Sequence, residues 1–218
     1  FPAQEWMTCV GRLAFPIFAF MIAEGCYYTS NVKKYMLRLF LFAIISEIPF
    51  NLIMGSSVFY PFHQNVLWTF LLGVLSIQII EKAKKKQKKW ISFFVVCLVL
   101  LMDFLLGTIT MVDYNAAGIL TVLLFYFFRK KTWISFAAQL VGLYYLNVVM
   151  LGNLYYPVTI LGHHFEIAQQ SFALLALIPI WLYHGEQGYH SKWFKYFCYA
   201  FYPVHLLILV VIWQWRIR

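Results

Sequence analysis

The sequence predicts an all-α polytopic membrane bundle of about eight transmembrane helices, and three observations carry that prediction. Of 218 residues, 63% are hydrophobic and 21% aromatic, while only 11% are charged, well below the fraction found in soluble domains. Apolar runs recur at roughly 6–29, 35–54, 65–80, 90–106, 116–128, 132–151, 167–184 and 194–215. Thirteen of the seventeen Lys and Arg residues (Lys33, Lys34, Lys82, Lys84, Lys85, Lys86, Lys88, Lys89, Arg129, Lys130, Lys131, Lys192 and Lys195) fall in or beside four short connections between those runs. That is the positive-inside distribution, so the connections after runs one, three, five and seven read as cytoplasmic. The connections 55–64, 107–115 and 152–166 carry no Lys or Arg and read as external loops. The net charge of +9 is thereby explained by topology and by attraction to anionic lipid headgroups, not by nucleic acid. No linker divides residues 1–218, which form a single domain.

Run one holds Arg12, Pro16 and Glu24 inside an otherwise apolar stretch. Arg12 lies about 9 Å inside the outer end, and Pro16 leaves the Arg12 carbonyl without its helical donor. Either Arg12 reaches back to the interface and Pro16 kinks the helix, or the two mark a polar cavity; intramembrane ions favour the second. Run two carries Glu47 about 10 Å from its outer end, the natural ion partner for Arg12. Arg38, about 4 Å inside the cytoplasmic end, is expected to snorkel, and Glu24 to meet Lys33 or Lys34. Asn65 opens run three, and the lysine run 81–89 closes it. Asp103 near the outer end of run four is expected to be hydrated, and Asp113 precedes run five on the outer side. His205 stands about 16 Å into run eight, near mid-membrane. Polar groups from five segments therefore converge on the middle and outer half of the bundle, although such residues also serve to pack helices together.

His163, His164 and Glu166, and His184, Glu186 and His190, have metal-binding residue types but no ligand spacing, so no metal is expected. Cys9, Cys26, Cys97 and Cys198 occur singly and read as free buried thiols. Trp6, Trp68, Trp90, Trp133, Trp181 and Trp213 at run ends fit an interfacial belt.

Four ordered blocks resemble the TraX family: Gly11-Arg12-Leu13-Ala14-Phe15-Pro16-Ile17-Phe18-Ala19, Gln64-Asn65-Val66-Leu67, Asp113-Tyr114 with Gly118, and Tyr199-Ala200-Phe201-Tyr202-Pro203-Val204-His205-Leu206. The resemblance spans essentially the whole chain. That family covers membrane proteins of conjugative pilus systems, typified by an enzyme that acetylates the N-terminus of pilin. The last block is also similar to the His-containing helix of the broader transmembrane acyltransferases. The resemblance implies a bacterial cytoplasmic-membrane acyltransferase using acetyl-CoA, with Arg12, Asn65, Asp113, Tyr202 and His205 as matching positions. It also implies an Asp-His pair on a ninth helix upstream of Phe1, which makes this chain N-terminally truncated. Asn115 stands where glycine is expected after Asp-Tyr.

The residue chemistry agrees with that expectation. Attack on a thioester carbonyl needs a base for the proton of an amine or hydroxyl and a donor for the developing oxyanion. His205 suits the first role and Arg12 or Tyr202 the second, while Asp113 or Glu47 orients an imidazole. Asn65, Glu47, Phe15 and Tyr199 are the candidate substrate-binding residues, and Lys84, Lys85 and Lys88 the candidates for the phosphates of acyl-CoA. Partners expected on this reading are acyl-CoA, membrane lipids and a pilin, peptide or glycan acceptor. Two other classes stay open: a permease with an Arg12, Glu47 and His205 relay, and a non-catalytic pilus-assembly component.

Overall fold

The computed structural model describes residues 5–152, 154–160, 163–186, 188–189 and 191–217. His190, Arg218 and the side chains of Trp6, Lys192, Lys195 and Arg216 lie outside the described residues. Eight helical segments follow one another: α1 (Glu5–Tyr28), α2 (Val32–Gly55), α3 (Val66–Lys86), α4 (Lys89–Ile109), α5 (Asn115–Phe127), α6 (Trp133–Leu143), α7 (Leu177–Leu182) and α8 (Lys192–Ile217). A π-helical stretch, Tyr144–Met150, prolongs α6, and a 3-10 stretch, Gln169–Ala176, leads into α7. Six of the described helices are long and apolar enough to cross a bilayer, while Asn115–Phe127 and Gln169–Leu182 are shorter. The chain is a multi-pass membrane helix bundle.

Local chemistry sets the helix starts. Asn31, Asn65 and Thr132 each accept a backbone N–H from the first turn of α2, α3 and α6, at 2.9, 3.1 and 3.2 Å. Helix α3 runs six residues past its apolar stretch to Lys86, because Glu, Lys and Ala continue a helix into water. The connection 152–166, expected as an open loop, instead folds as an antiparallel hairpin of β1 (Tyr155–Ile160) and β2 (His163–Ala168), with Tyr155 opposite Ala168. Alternating Tyr, Val, Thr, Ile and Phe favours pairing once both strands are in reach.

The core sits around α5, whose Ala116, Ala117, Ile119, Val122, Leu123 and Phe125 are buried. At 13 residues α5 is about 20 Å long, too short for a hydrocarbon core of about 30 Å. Its neighbours therefore shield it, and eight of its thirteen residues are buried. Glycines allow those neighbours in: a Cβ at Gly107 would lie 2.6 Å from the backbone of Ala116, one at Gly118 2.6 Å from Thr69, and one at Gly73 2.9 Å from Val122.

The turn before α5 is tied to the connection before α3. Gln64 N–H donates to the Met111 carbonyl and Asp113 N–H to the Gln64 carbonyl, both at 2.9 Å. Thr69 Oγ1 donates to the Asp113 carbonyl at 2.6 Å. Met111, Tyr114 and Asn115 have φ of 51°, 62° and 47°. Asparagine tolerates this left-handed region better than most side chains, which accounts for Asn115 at a position where glycine is expected.

Candidate functional site

A cavity of about 380 Å³ lies between α1, α2, α3 and α8, capped by the Asp113–Tyr114 turn. Its α1 wall is one helical stripe, Gly11, Phe15, Phe18 and Ile22, about 16 Å long. Phe15 stacks on Tyr114 at 3.8 Å between ring centroids and on Phe70 at 5.8 Å, which closes the outer end. Helix α8 packs chiefly against α2 and buries the stripe Pro203, Leu206 and Val210. It leaves Phe201 half exposed beside the cavity.

The polar wall is built mainly from α8. The His205 Nδ1 lies 2.9 Å from the Phe201 carbonyl, one turn earlier. A carbonyl only accepts, so Nδ1 carries the proton of the neutral ring and Nε2 keeps a lone pair. His205 also meets the Tyr202 ring edge-on at 5.4 Å, and the Tyr202 hydroxyl reaches the Val66 backbone at the start of α3. Pro203 has no N–H for the Tyr199 carbonyl, so the helix is loosened between Tyr199 and His205.

Arg38, expected to snorkel, is half-buried and lines this cavity. Its Nε donates to the Tyr199 hydroxyl at 2.9 Å, and its guanidinium sits 5.7 Å and 5.9 Å from the Tyr35 and Tyr199 ring centroids. Two aromatic faces and a phenol hold a cation more favourably than a long reach to water. Among the described residues no carboxylate pairs with it. The cavity is thus polarised, with Asp113 at the lysine-free end and Arg38 toward the lysine-bearing end.

Behind Asp113 stands His63, which the sequence reading passed over. Its Nε2 is 3.3 Å from Asp113 Oδ1, and the same oxygen accepts the Tyr114 N–H at 3.1 Å. His63 also packs on Phe50 at 5.4 Å. The hydrogen bond to Asp113 raises the imidazole pKa above its ordinary value, partial burial opposes the shift, and the charges of Asp113 and Glu47 add to it. The detectable signal was positional: His63 lies two residues before Asn65, in a connection with no Asp, Glu, Lys or Arg.

The remaining candidates divide. His205, Tyr202, Tyr199, Phe15 and Asp113 share the cavity. Arg12 does not line it. The expected Arg12–Glu47 ion pair is not formed: Arg12 Nη2 donates to Gln169 Oε1 at 3.0 Å, and its guanidinium also reaches the Tyr114 hydroxyl. Gln169 in turn holds the Tyr156 hydroxyl of the hairpin. Glu47 accepts from Asn65 Nδ2 and from Trp68 Nε1 at 3.0 Å, and Asn65 also donates to the Ala43 carbonyl at 2.8 Å. Asn65 and Glu47 therefore clamp α2 to α3 instead of lining the pocket. A relay through Arg12, Glu47 and His205 is not assembled among the described residues. Lys84 and Lys85 sit at the far end of α3 and Lys88 just before α4, away from the cavity; Lys84 pairs with Glu81 at 3.2 Å and lies over Phe127.

Three smaller expectations are also corrected. Glu24 pairs with Arg129 at 3.2 Å, not with Lys33 or Lys34, because Arg129 at the end of α5 comes closer than a lysine across the turn. Asp103 is buried at 3% exposure and accepts from Ser76 Oγ at 2.6 Å, since α4 turns it toward α3. Cys97 and Cys198 are exposed, Cys198 at the edge of the cavity, Cys9 is half-buried, and only Cys26 is buried.

Fold and cavity together define a polytopic integral membrane protein with a charged and aromatic pocket inside the bilayer. The chain belongs to the TraX protein family, which matches residues 1–213. It is 26% identical over 213 residues to the probable fimbrial assembly protein FimC, serogroup H1, of Dichelobacter nodosus, covering 94% of this chain and 82% of that protein. No solved structure matches it.

Proposed function

We propose that this chain is a membrane acyltransferase that moves an acetyl or other short acyl group from acyl-CoA to an acceptor such as a pilin or peptide N-terminus or a cell-envelope glycan. The observation that carries the reading is the His205 ring, with Nδ1 committed to a carbonyl and Nε2 free, beside a phenol and a carboxylate in one intramembrane cavity. His205 Nε2 takes the proton of the attacking amine or hydroxyl as the new bond to the thioester carbon forms. The Tyr202 hydroxyl donates to the oxyanion of the tetrahedral intermediate. Collapse breaks the carbon–sulfur bond, and the thiolate leaves with the proton held by His205. Arg38, a cation without a carboxylate beside it among the described residues, suits a phosphate of the donor, while the lysine-rich α3 end concentrates that donor at the membrane surface.

Transfer of labelled acetyl from acetyl-CoA by the purified protein in nanodiscs tests the reading. His205→Ala is expected to abolish transfer while expression and thermal stability hold; normal turnover in that variant overturns it. A second reading, a non-catalytic component of fimbrial assembly, is favoured by the name of the relative from Dichelobacter nodosus. On that reading, pilus assembly in cells survives His205→Ala.

A further inference from the structure

On the opposite flank of α1 lies a second cavity of about 760 Å³, formed with α7 and the segment that follows it. A smaller lobe of about 220 Å³ adjoins it and shares the Phe20, Glu24 and Tyr183 walls. The walls are sorted by depth. Ile17, Phe20 and the exposed Met21 form the deeper part, whereas Glu24, Tyr28 and Glu186 lie at the lysine-bearing end. From Ile17 to Tyr28 the α1 wall is about 16 Å long, the depth of a lipid headgroup and its upper acyl chain. The smaller lobe adds Arg129 and Lys131.

Charge decides what fits. The charged side chains lining the two lobes are Arg129 and Lys131, Glu24 and Glu186, so the site has no net formal charge. Arg129 is tied to Glu24 and stacks over the Tyr27 ring at 3.4 Å, and Lys131 Nζ donates to the Trp181 carbonyl at 2.9 Å and to that of Tyr183. Glu186 is exposed at the mouth. A purely anionic headgroup would meet carboxylates, and a simple amine would meet cations. A group carrying both signs matches both walls.

We propose that this second cavity binds a zwitterionic aminophospholipid of the lysine-rich leaflet. Its acyl chain lies on Ile17, Phe20 and Met21, its phosphate faces Arg129 and Lys131, and its ammonium donates to Glu186. The site is independent of the acyl-transfer reading and needs no turnover to test.

The test adds dioleoyl phosphatidylethanolamine, phosphatidylcholine or phosphatidylglycerol to the delipidated full chain in detergent and follows one-to-one retention by native mass spectrometry. Phosphatidylcholine keeps the phosphate and the net charge but has no ammonium N–H, so the ethanolamine lipid should be retained about tenfold better, one charge-assisted hydrogen bond's worth. Glu186→Gln, at an exposed position, should remove that preference without changing the melting temperature. Equal retention of the three lipids, stronger retention of the glycerol lipid, or an unchanged preference in Glu186→Gln overturns the proposal.

Discussion

Around α5 the helices approach until little but glycine fits, whereas around α8 they stand apart and leave a cavity. On the α5 side, Gly107, Gly118 and Gly73 bring backbone and side chains of neighbouring helices into direct contact. On the α8 side, one stripe is buried and aromatic and aliphatic side chains face outward. The tight half presents Asp113 on a turn held by three hydrogen bonds to the connection before α3 and to α3 itself. The loose half supplies His205 and Tyr202 on a helix interrupted by Pro203. A rigid wall facing a yielding one suits a site that must position charge and still admit a ligand from the bilayer.

Substitutions separate the two halves. On the α8 side the largest effect, under the proposed acyl transfer, is chemical: His205→Ala should lower that transfer by about 10²- to 10⁴-fold. Unfolding midpoints within a degree or two of the parent protein would show that the loss is not structural. On the α5 side the effect should fall on stability alone. Gly107→Val places its first side-chain carbon against the Ala116 backbone, and overpacking of that kind costs about 3 kcal/mol or more. Reduced yield and an earlier melting transition would register it, and an unchanged transition would mean that α4 and α5 separate freely.

The clamp between α2 and α3 should respond less. Glu47→Ala removes the acceptor of the Trp68 indole and one of the two acceptors of the Asn65 amide, at about 1–3 kcal/mol. Glu47→Gln keeps an acceptor and should recover much of the loss in thermal unfolding. If both variants retain transfer activity in proportion to the folded fraction, Glu47 and Asn65 are confirmed as packing residues.

The smallest effect is a pH dependence. Because the His63 pKa is raised in the folded protein, its pairing with Asp113 stabilises fully below the ordinary value near 6.5 and is lost as pH rises through the folded value. The His63 side chain is 40% exposed, so the change should be slight. A melting temperature that falls modestly from pH 5.5 to pH 8.5, and a flat profile in His63→Gln, is the expected pattern.

Depth along each helix was readable before any coordinates, because a fixed rise per residue converts sequence position into distance from the membrane surface. Of the residues grouped by depth, Asp113 and His205 line one cavity, while Tyr202 beside them came from the resemblance and not from depth. Rotation about each helix axis was harder to read. Arg12 and Glu47 share a depth yet do not pair: one is taken by Gln169 from the 3-10 stretch before α7 and the other by Asn65 and Trp68. Arg38 was placed by its depth near water, yet it lies between Tyr35 on its own helix and Tyr199 on α8. His63 was overlooked because nothing in its own segment signals Asp113, which lies fifty residues on.

Composition and the spacing of charges were enough to specify a membrane bundle of eight helical segments, their order and the basic face, since the bilayer penalises unsatisfied backbone and misplaced charge residue by residue. Which polar groups touch was settled by folding. Glycine contacts set the approach of α4, α3 and α5, hydrogen bonds to Gln64 and Thr69 hold Asp113 at the cavity, and the partners of Arg12, Glu47 and Arg38 were chosen among side chains remote in the chain. Pairing inside a membrane depends on the angle between packed helices, and that angle is a property of the whole bundle.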